Sequence, residues 1–411
     1  MTDATANLTA FAGAIDADFR DRSATNERQA AAFDRYERLG LPSRRVEGWK
    51  WSDFNAALRG PAPANDAAPA ETIVPSPFAG LEPLEIQIVD GRVIAPETLS
   101  LEGVEFGVIE PGASDPDFDN HSLVALNIAL TRRAFGFRVA SGKTVERPIH
   151  IRHINNYCGQ AFSQVLGRAD QGSRLTIIET FEGRAAFHSA MHHLAICDGA
   201  EVNRYVVHEA GADTVTHGFF GAVVGEDARF RQTSLSTGGR LCRHETHLLY
   251  PAAAGYSDVA SAALVTGDQH NDFTTQVRFK SPDGEARQLH KGVASEKGRN
   301  IFQGKFHVER AAQKTDAKMT ANALLLSEGA EANHKPELEI YADDVECAHG
   351  STVGALDDDA LFYLRQRGLP ERDARALLIN AFAGEVIDGI GNDVVRDVFA
   401  ARMAAWLEAQ Q

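Results

Sequence analysis

The sequence predicts a mainly β protein, with a long central region of short strands between helical segments at the two ends. From about 135 to 354, short runs rich in β-branched and aromatic residues follow one another, and glycines separate them at near-regular intervals. Three of these turns are near copies of each other, namely Gly199-Ala200-Glu201, Gly211-Ala212-Asp213 and Gly329-Ala330-Glu331. Such a region is compatible with a sandwich, a large barrel or a β-solenoid. The repeated turn favours the solenoid, because stacked turns reuse one corner geometry.

The N-terminal part, residues 1–110, is predicted to be a helical domain. Phe11, Ile15 and Phe19 recur every four residues, which is typical of the apolar face of a helix. A second helical stretch leads into Gly40 and Pro42. A glycine followed closely by a proline ends a helix, because the glycine adopts the capping conformation and the proline cannot continue it.

A linker and a small β element complete this N-terminal part. Residues 60–80 contain five of the 15 prolines together with much alanine, which predicts an extended and poorly packed linker. The alternating run that follows contains Asp90-Gly91, a dipeptide that strongly favours a β-hairpin turn.

The C-terminal part, residues 355–411, is predicted to be a second helical domain. Asp357 is placed to cap its first helix, and Gly368-Leu369-Pro370 separates that helix from the next. Apolar side chains then form two stripes at helical spacing, Ala374, Leu377, Leu378, Ala381, Phe382 and Val386, followed by Val394, Val395, Val398, Phe399, Met403 and Trp406. A short helical unit with two such stripes either packs on the β region or receives a partner helix.

Length and composition restrict the function further. A chain of 411 residues holds two or three structural units and needs no disulfide or structural metal to stay folded. With 41 basic and 57 acidic residues the net charge is −16, so nucleic acids and anionic membranes would be repelled. Neither a membrane span nor a signal peptide is recognisable, and the four cysteines form no CxxC pair, so we expect a cytoplasmic protein with free thiols.

One motif resembles a phosphate-binding loop but lacks a required residue. Ser141-Gly142-Lys143-Thr144 matches the end of that loop, which needs a glycine five positions before Gly142, where Phe137 stands instead. A turn in a β-hairpin is the better interpretation, because strand-like runs flank it. Complete dinucleotide-binding and serine-hydrolase motifs are also missing from the sequence.

Histidines are concentrated in the strand region. Twelve of the 15 lie between His188 and His349, and the run from His244 to His247 falls one residue short of the zinc-binding HExxH motif. A metal-dependent oxygenase or hydrolase could collect such histidines from several strands. The simpler interpretation is that each imidazole hydrogen-bonds to its neighbours. Cys158, Cys197 and Cys242 are similarly interpreted as small core residues.

Cys347 and His349 are the strongest candidates for metal chemistry. They are two residues apart in a stretch of β character, so their side chains leave the strand on the same face. A thiolate beside an imidazole suits iron or zinc. Two donors do not complete a metal site, so the remaining ligands would come from elsewhere, including from another chain.

The C-terminal half resembles the SufB/SufD family of the SUF iron–sulfur cluster assembly system, and its ending is most similar to the SufD branch. The run that carries the resemblance contains His334-Lys335-Pro336, Leu338-Glu339-Ile340-Tyr341-Ala342-Asp343-Asp344-Val345, Cys347-x-His349-Gly350 and Phe362-Tyr363-Leu364-Arg365-x-Arg367-Gly368. The match is dense over about 85 residues. It is thinner near the N-terminus, where Pro42-x-Arg44-Arg45-x-Glu47-x-Trp49-Lys50 resembles an early motif of the family.

The resemblance implies a right-handed parallel β-helix over residues 130–354 between the two helical domains. It also implies a non-enzymatic scaffold subunit that pairs with SufB through the β-helix and binds the SufC ATPase through the C-terminal helical domain. ATP hydrolysis would then belong to SufC. By position, His349 matches a family histidine at the SufB–SufD interface and Cys347 is its neighbouring thiol, so both are candidate ligands for transient iron or a nascent Fe–S cluster.

Two other functions remain open from the residues alone. A metal-dependent oxygenase or hydrolase would bind metal as an isolated chain. A purely structural β-helix adaptor would keep the same partners and give Cys347 and His349 no chemistry. The isolated chain is also expected to form a homodimer through the surface meant for SufB.

Overall fold

The computed structural model describes residues 3–20, 26–59, 75–94, 100–112, 118, 121–156 and 159–410, with the backbone alone for residues 3–10. Its centre is a parallel β-solenoid, and helices pack on the outside of it near both ends of the chain. The mainly β class and the flanking helices predicted from the sequence are therefore confirmed. The choice between sandwich, barrel and solenoid is also settled in favour of the solenoid.

Two sheets make up the solenoid. In chain order the strands of the described residues are β1 (Leu84–Val89), β2 (Arg92–Ile94), β3 (Val104–Ile109), β4 (Ala134–Val139), β5 (Ile149–Asn155), β6 (Gln160–Ala169), β7 (Arg174–Gly183), β8 (Phe187–Ile196), β9 (Glu201–His208), β10 (Val215–Val224), β11 (Arg229–Ser236), β12 (Leu241–Tyr250), β13 (Tyr256–Val265), β14 (His270–Phe279), β15 (Glu285–Ala294), β16 (Arg299–Val308), β17 (Asp316–Leu325), β18 (Glu331–Ile340) and β19 (Glu346–Gly354). From β4 onward, even-numbered strands form sheet B and odd-numbered strands form sheet A.

From β4 to β17, each strand pairs in parallel with the strand two places later in the chain. Arg229 of β11, for example, lies opposite Glu201 of β9 and Tyr256 of β13, which are 28 and 27 residues away. One turn of the solenoid therefore takes two strands and two corners. Because parallel strands alternate between two sheets, every second side chain points into a continuous interior.

Aromatic and aliphatic side chains fill much of that interior. Phe220, Phe230, Tyr250, Phe279 and Phe306 belong to one cluster that runs along the solenoid, and each of them is fully buried. Since every strand supplies its own part of the cluster, each turn buries its apolar face against the turns before and after it.

The predicted hairpin forms, and it belongs to the solenoid. Strands β1 and β2 are antiparallel, and the turn residues Asp90 and Gly91 both have positive φ, as a type I′ turn requires. Strand β1 also pairs in parallel with β5, and β3 pairs with β4. The small β element that the sequence placed with the N-terminal helices is thus hydrogen-bonded into the first turn of sheet A, and β3 extends sheet B in the same way.

The N-terminal helices cover the outer face of sheet B. They are α1 (Asp3–Arg20), α2 (Glu27–Leu39), α3 (Phe54–Leu58) and α4 (Ser122–Leu130). The predicted apolar face is confirmed, since Phe11 and Ile15 are buried and Phe19 stacks on Phe33. Gly40 caps α2, as predicted. Of the predicted linker, residues 60–74 lie outside the described part, and Phe78 near its end is fully buried, so that end is packed.

The C-terminal helices are α5 (Asp358–Gln366), α6 (Glu371–Gly384) and α7 (Asp393–Ala409). Helices α6 and α7 pack on the outer face of sheet A, and α5 contacts α6. Asp357 caps α5 as predicted. Of the predicted stripe on α7, Val395, Phe399, Met403 and Trp406 are buried, so this helix packs on the β region, which is one of the two possibilities that the sequence left open. The stripe on α6 differs from the prediction, because Ile379 and Ala383 are buried whereas Leu377 is exposed. The reason is that α6 meets the sheet through one narrow face. No helix among the described residues is long and apolar enough to cross a bilayer.

Candidate functional site

The last turn of the solenoid is open to solvent. Strands β18 and β19 are the terminal strands of their sheets, so no further strand in the described part of the chain covers their outer edges. In β19 every residue except Cys347 is exposed, and β18 contains no buried residue. The preceding strands of both sheets are largely buried. The interior of the solenoid is therefore accessible from this end.

Cys347 and His349 line that open end. They lie opposite Ala317 and Met319 of β17, which are buried in the solenoid core, so the register places both side chains on the inward face of β19. Cys347 also packs against the core cluster, whereas His349 is exposed because no turn follows. The prediction that the two side chains share one face is confirmed.

Two further polar side chains enter the same opening. Ser351 follows His349 on the inward face of β19, opposite buried Ala321. His334 of β18 lies beside buried Phe302 of β16 in sheet B, which is an inward position, and its Nδ1 lies 2.9 Å from Oγ of Ser351 on the facing sheet. This hydrogen bond links the last strands of the two sheets.

Burial shifts the pKa of two side chains at the open end, His334 and Cys347. It lowers the pKa of His334 to about 4, with the backbone carbonyl of Ala321 opposing the change, so the imidazole is neutral at pH 7. Burial likewise raises the pKa of the Cys347 thiol, although a hydrogen bond with the backbone of Ala317 partly offsets this. A metal that binds Cys347 must therefore displace its proton.

The described residues contain no set of three histidine, cysteine, aspartate or glutamate side chains close enough to hold one metal ion. The thiol of Cys347 and the imidazole of His349 are therefore too few to hold a metal ion by themselves. A stable site for iron or zinc at this end would need further ligands from outside the described residues.

The strand histidines lie elsewhere and have structural partners. Inside the solenoid, Arg204 forms an ion pair with Glu179 and also lies 3.3 Å from Nε2 of His244. His153 and His192 each lie 3.3 Å from a carboxylate oxygen of Glu179. Burial alone would raise the pKa of Glu179, but Arg204 and the two imidazoles hold the pKa well below its ordinary value.

A second buried group of histidines lies between sheet B and the N-terminal segment. Glu245 accepts hydrogen bonds from Arg243, His217 and His247. Within the run from His244 to His247, side chains alternate between the interior and the outer face, so the four residues do not form one site. Trp49 covers Arg243, with the guanidinium 4.0 Å from the ring centroid. These contacts favour the structural interpretation of the strand histidines.

The other cysteines and the motif that resembles a phosphate-binding loop belong to no metal-binding group among the described residues. Cys242 is buried, which raises its pKa to about 12, and Cys197 is half-buried at a corner of the solenoid. Cys158 lies outside the described residues. The turn that contains Gly142 connects β4 of sheet B to β5 of sheet A, so it is a corner between sheets and the hairpin prediction was wrong.

His334 and Ser351 were missed as site residues by sequence reasoning. His334 was noted only as part of a motif, because 17 residues separate it from Ser351 and the two lie on different strands. His334 and Ser351 come together through the parallel register of all the stacked strands, which neither strand shows by itself. The one available signal was alternation along the strand, which places Ser351 on the same face as His349.

Comparison with known proteins identifies the family of this chain. Residues 152–382, more than half of the chain, match the family described as "SUF system FeS cluster assembly, SufBD core domain". The iron–sulfur cluster assembly protein SufD of Escherichia coli is 29% identical over 379 residues, which cover 89% of each chain. The family match includes the last turn of the solenoid, α5 and most of α6.

Two other relatives match over a shorter range. SufD of Bacillus subtilis is 29% identical over 277 residues, or 66% of this chain and 63% of the relative. The chloroplastic protein ABCI7 of Arabidopsis thaliana is 31% identical over 273 residues, or 63% of this chain and 57% of the relative.

Proposed function

This chain belongs to the SufB/SufD family of the SUF iron–sulfur cluster assembly system, where it is most similar to SufD, and we propose that it is a non-catalytic scaffold subunit. It holds iron or a nascent Fe–S cluster, as cargo, at the open end of its solenoid. The observation that carries the proposal is the placement of Cys347 and His349 on the inward face of an uncovered terminal strand.

A SufB-like subunit is the proposed partner at that end. The terminal strands carry unpaired backbone groups, and a partner strand can add to such an edge. Apolar side chains are also exposed there, including Ile340, Tyr341 and Val353. A partner that covers this end would supply the missing ligands and enclose the cargo. In its absence, two copies of the chain would pair through the same edges.

A SufC-like ATPase is the proposed partner of the C-terminal helices. Phe362 and Tyr363 on α5 are 63% and 57% exposed, and Leu377 on α6 is 49% exposed. Three large apolar side chains on adjacent helices are typical of a surface that a protein partner covers. We assign ATP hydrolysis to that partner.

Helix α6 is anchored to the solenoid close to the open end. Nζ of Lys291 on β15 lies 2.6 Å from a carboxylate oxygen of Glu385 and 4.8 Å from the ring centroid of Phe382. Along the outer face of sheet A, Lys291 is followed by Asn322 of β17 and Thr352 of β19, and the side chains of Asn322 and Thr352 are hydrogen-bonded. A displacement of α6 by an ATPase would therefore act on the strand that carries His349.

The donors at the open end suit transient binding. Imidazole and thiolate ligands bind iron, and a site with too few ligands in one chain releases its cargo when the partner moves away. Binding at Cys347 releases a proton, because burial raises the pKa of this thiol.

The test is the variant His349→Ala in a complex co-expressed with SufB-like and SufC-like subunits. We expect normal assembly on size exclusion and at least about tenfold weaker retention of iron and acid-labile sulfide, because a ligand is lost. His307→Ala is the matched control. His307 lies on the outer face of β16, away from the interior, and pairs there with Glu339 of β18. Unchanged cluster formation with His349→Ala would leave a purely structural adaptor as the function.

A further inference from the structure

His334 is a polar side chain at the open end to which no role has been assigned. It lies on β18, the terminal strand of sheet B, whereas Cys347, His349 and Ser351 lie on β19 of sheet A. The two strands face each other across the interior, and the 2.9 Å contact between His334 and Ser351 spans the gap between them. Donors from both sheets therefore border one opening.

The second ring nitrogen of His334 makes no hydrogen bond of ordinary geometry, although the backbone carbonyl of Ala321 is close enough to affect the pKa of the ring. Nε2 is buried and has no hydrogen-bond partner among the described residues. A buried polar atom without a partner is costly. Nε2 of His192 and Nδ1 of His208 share this property, so His334 is distinguished from them by its position on the terminal strand at the open end. With Nδ1 engaged by Ser351, Nε2 is the nitrogen left to bind a metal. Histidine ligands commonly have their other nitrogen held by a polar group in this way.

The environment fixes the ring in place. The His334 ring is perpendicular to those of His290 and Phe302, at 89° to each, with centroids 5.8 Å and 6.3 Å away. His290 is itself held by Ser261 and by Asn300, each at 2.9 Å. A ring confined on two sides and hydrogen-bonded on a third loses little entropy when it binds a ligand.

A single metal ion cannot bind all of these side chains, because no three histidine, cysteine, aspartate or glutamate side chains among the described residues are close enough to hold one ion. Successive inward positions on a strand are about 7 Å apart, so Ser351 and the imidazole bound to it lie one such step along the strand from His349. A polynuclear iron–sulfur unit differs from a single ion in that its iron atoms take ligands separately.

We propose that His334 is a further ligand of the cargo, which binds through Nε2 an iron atom other than the one bound by His349. The proposal rests on the proposed scaffold function and deepens it, because it makes both sheets of this chain contribute to one cluster. Binding is a ligand exchange in which Nε2 replaces a water or small thiol on iron, without electron transfer. Ser351 is the positioning residue, and it holds the imidazole in orientation.

The experiment uses the complete complex with SufB-like and SufC-like subunits, loaded anaerobically with Fe²⁺ and sulfide. Pulsed EPR of the reduced cluster counts the coordinated nitrogens, and a chelator measures the rate of iron loss. We expect His334→Ala and His334→Gln each to remove one nitrogen coupling and to speed iron loss about tenfold. His307→Ala should change neither quantity.

Two variants separate ligation from a merely structural contact between the sheets. His334→Gln keeps an amide that can reach Ser351 but lacks the imidazole, whereas Ser351→Ala keeps the imidazole and removes its partner. If His334 is a ligand, Ser351→Ala retains the nitrogen coupling. If the contact is only structural, Ser351→Ala and His334→Ala behave alike and His334→Gln is mild, which would overturn the proposal.

The outcome for His349→Ala distinguishes this inference from the proposed function. Normal nitrogen couplings in His334→Ala, combined with a loss in His349→Ala, would refute the role of His334 and leave the scaffold function intact. A wild-type complex that loads no cluster would refute both.

Discussion

Individual side chains in this protein divide into two groups by what surrounds them. In the middle of the solenoid Glu179 pairs with Arg204 and with the imidazoles of His153 and His192, all of them buried, although Nε2 of His192 makes no hydrogen bond with the described residues. At the open end, His349 is exposed and His334 keeps a nitrogen without a partner among the described residues. Residue type alone does not separate the two groups, since both consist largely of histidines.

The ion pair of Glu179 with Arg204 gives a prediction at this scale. Nε of Arg204 lies 2.8 Å from Glu179, and both side chains are fully buried. Arg204→Met should lower the free energy of unfolding by about 3–5 kcal/mol, because it leaves a buried carboxylate without its counter-charge. Urea denaturation followed by circular dichroism measures the change.

The control is Arg299→Met, which removes the same kind of side chain from an exposed pair with Glu331. Exposed ion pairs contribute only about 0–1 kcal/mol, so this variant should be near wild type. Equal losses in the two variants would show that burial of the Glu179 pair does not matter to stability.

At the scale of helices and strands, the two helical groups have different relations to the solenoid. The N-terminal helices and the segment around Trp49 lie on sheet B over strands from β6 to β18, with Lys335 of β18 paired to Glu47. The C-terminal helices bury α7 against sheet A but leave much of α5 and α6 uncovered. The uncovered helices are therefore the part available to a partner.

The exposed apolar side chains of α5 and α6 give a second prediction. Phe362→Ser and Leu377→Ser should each weaken binding of the SufC-like ATPase by about 30-fold, which is typical of central interface residues. Isothermal titration calorimetry with the purified ATPase measures the affinity. Gln366→Ser, on the same helix as Phe362 and also exposed, should bind normally. If both apolar variants bind normally, the docking surface lies elsewhere.

At the scale of the whole molecule, buried histidines couple stability to pH. Burial lowers the pKa of ten imidazoles among the described residues, including His188, His192 and His244. The pKa falls to about 4 for His121, His150, His270 and His334 and to about 3 for His193, His208 and His290. In the unfolded chain they titrate near pH 6.5. The unfolded state thus binds more protons than the folded state between pH 6.5 and about 4, and stability falls as pH falls through this window.

We therefore expect the free energy of unfolding to drop by several kcal/mol between pH 7 and pH 5, since each such histidine contributes up to about 1.4 kcal/mol per pH unit. Urea denaturation at half-unit pH intervals and constant ionic strength measures this. His193→Phe, which places a phenyl ring beside Phe219, should make the dependence shallower by about one proton. A stability that is flat from pH 7 to pH 5 would contradict the expected burial of these imidazoles.

Local patterns were enough to predict much of the fold. Apolar spacing located the helices that contain Phe11 and Phe399, and Asp90-Gly91 and Asp357 marked a hairpin and a helix start, because turns and caps depend on a few adjacent residues. Strand alternation placed Cys347 and His349 on one face for the same reason. Resemblance added the family, which the comparisons confirm.

Contacts between distant residues could not be predicted in this way. Whether Leu377 is buried depends on which face of α6 meets sheet A. Whether a buried charged side chain finds a partner depends on other strands, as for Arg204 and Glu179, which are 25 residues apart in the chain. The pairing of His334 with Ser351 depends on the register of the last turn. The periodicity of a sequence predicts on which face of a strand or helix a side chain lies. The residues that it contacts on that face depend on the register in which the turns of the solenoid stack.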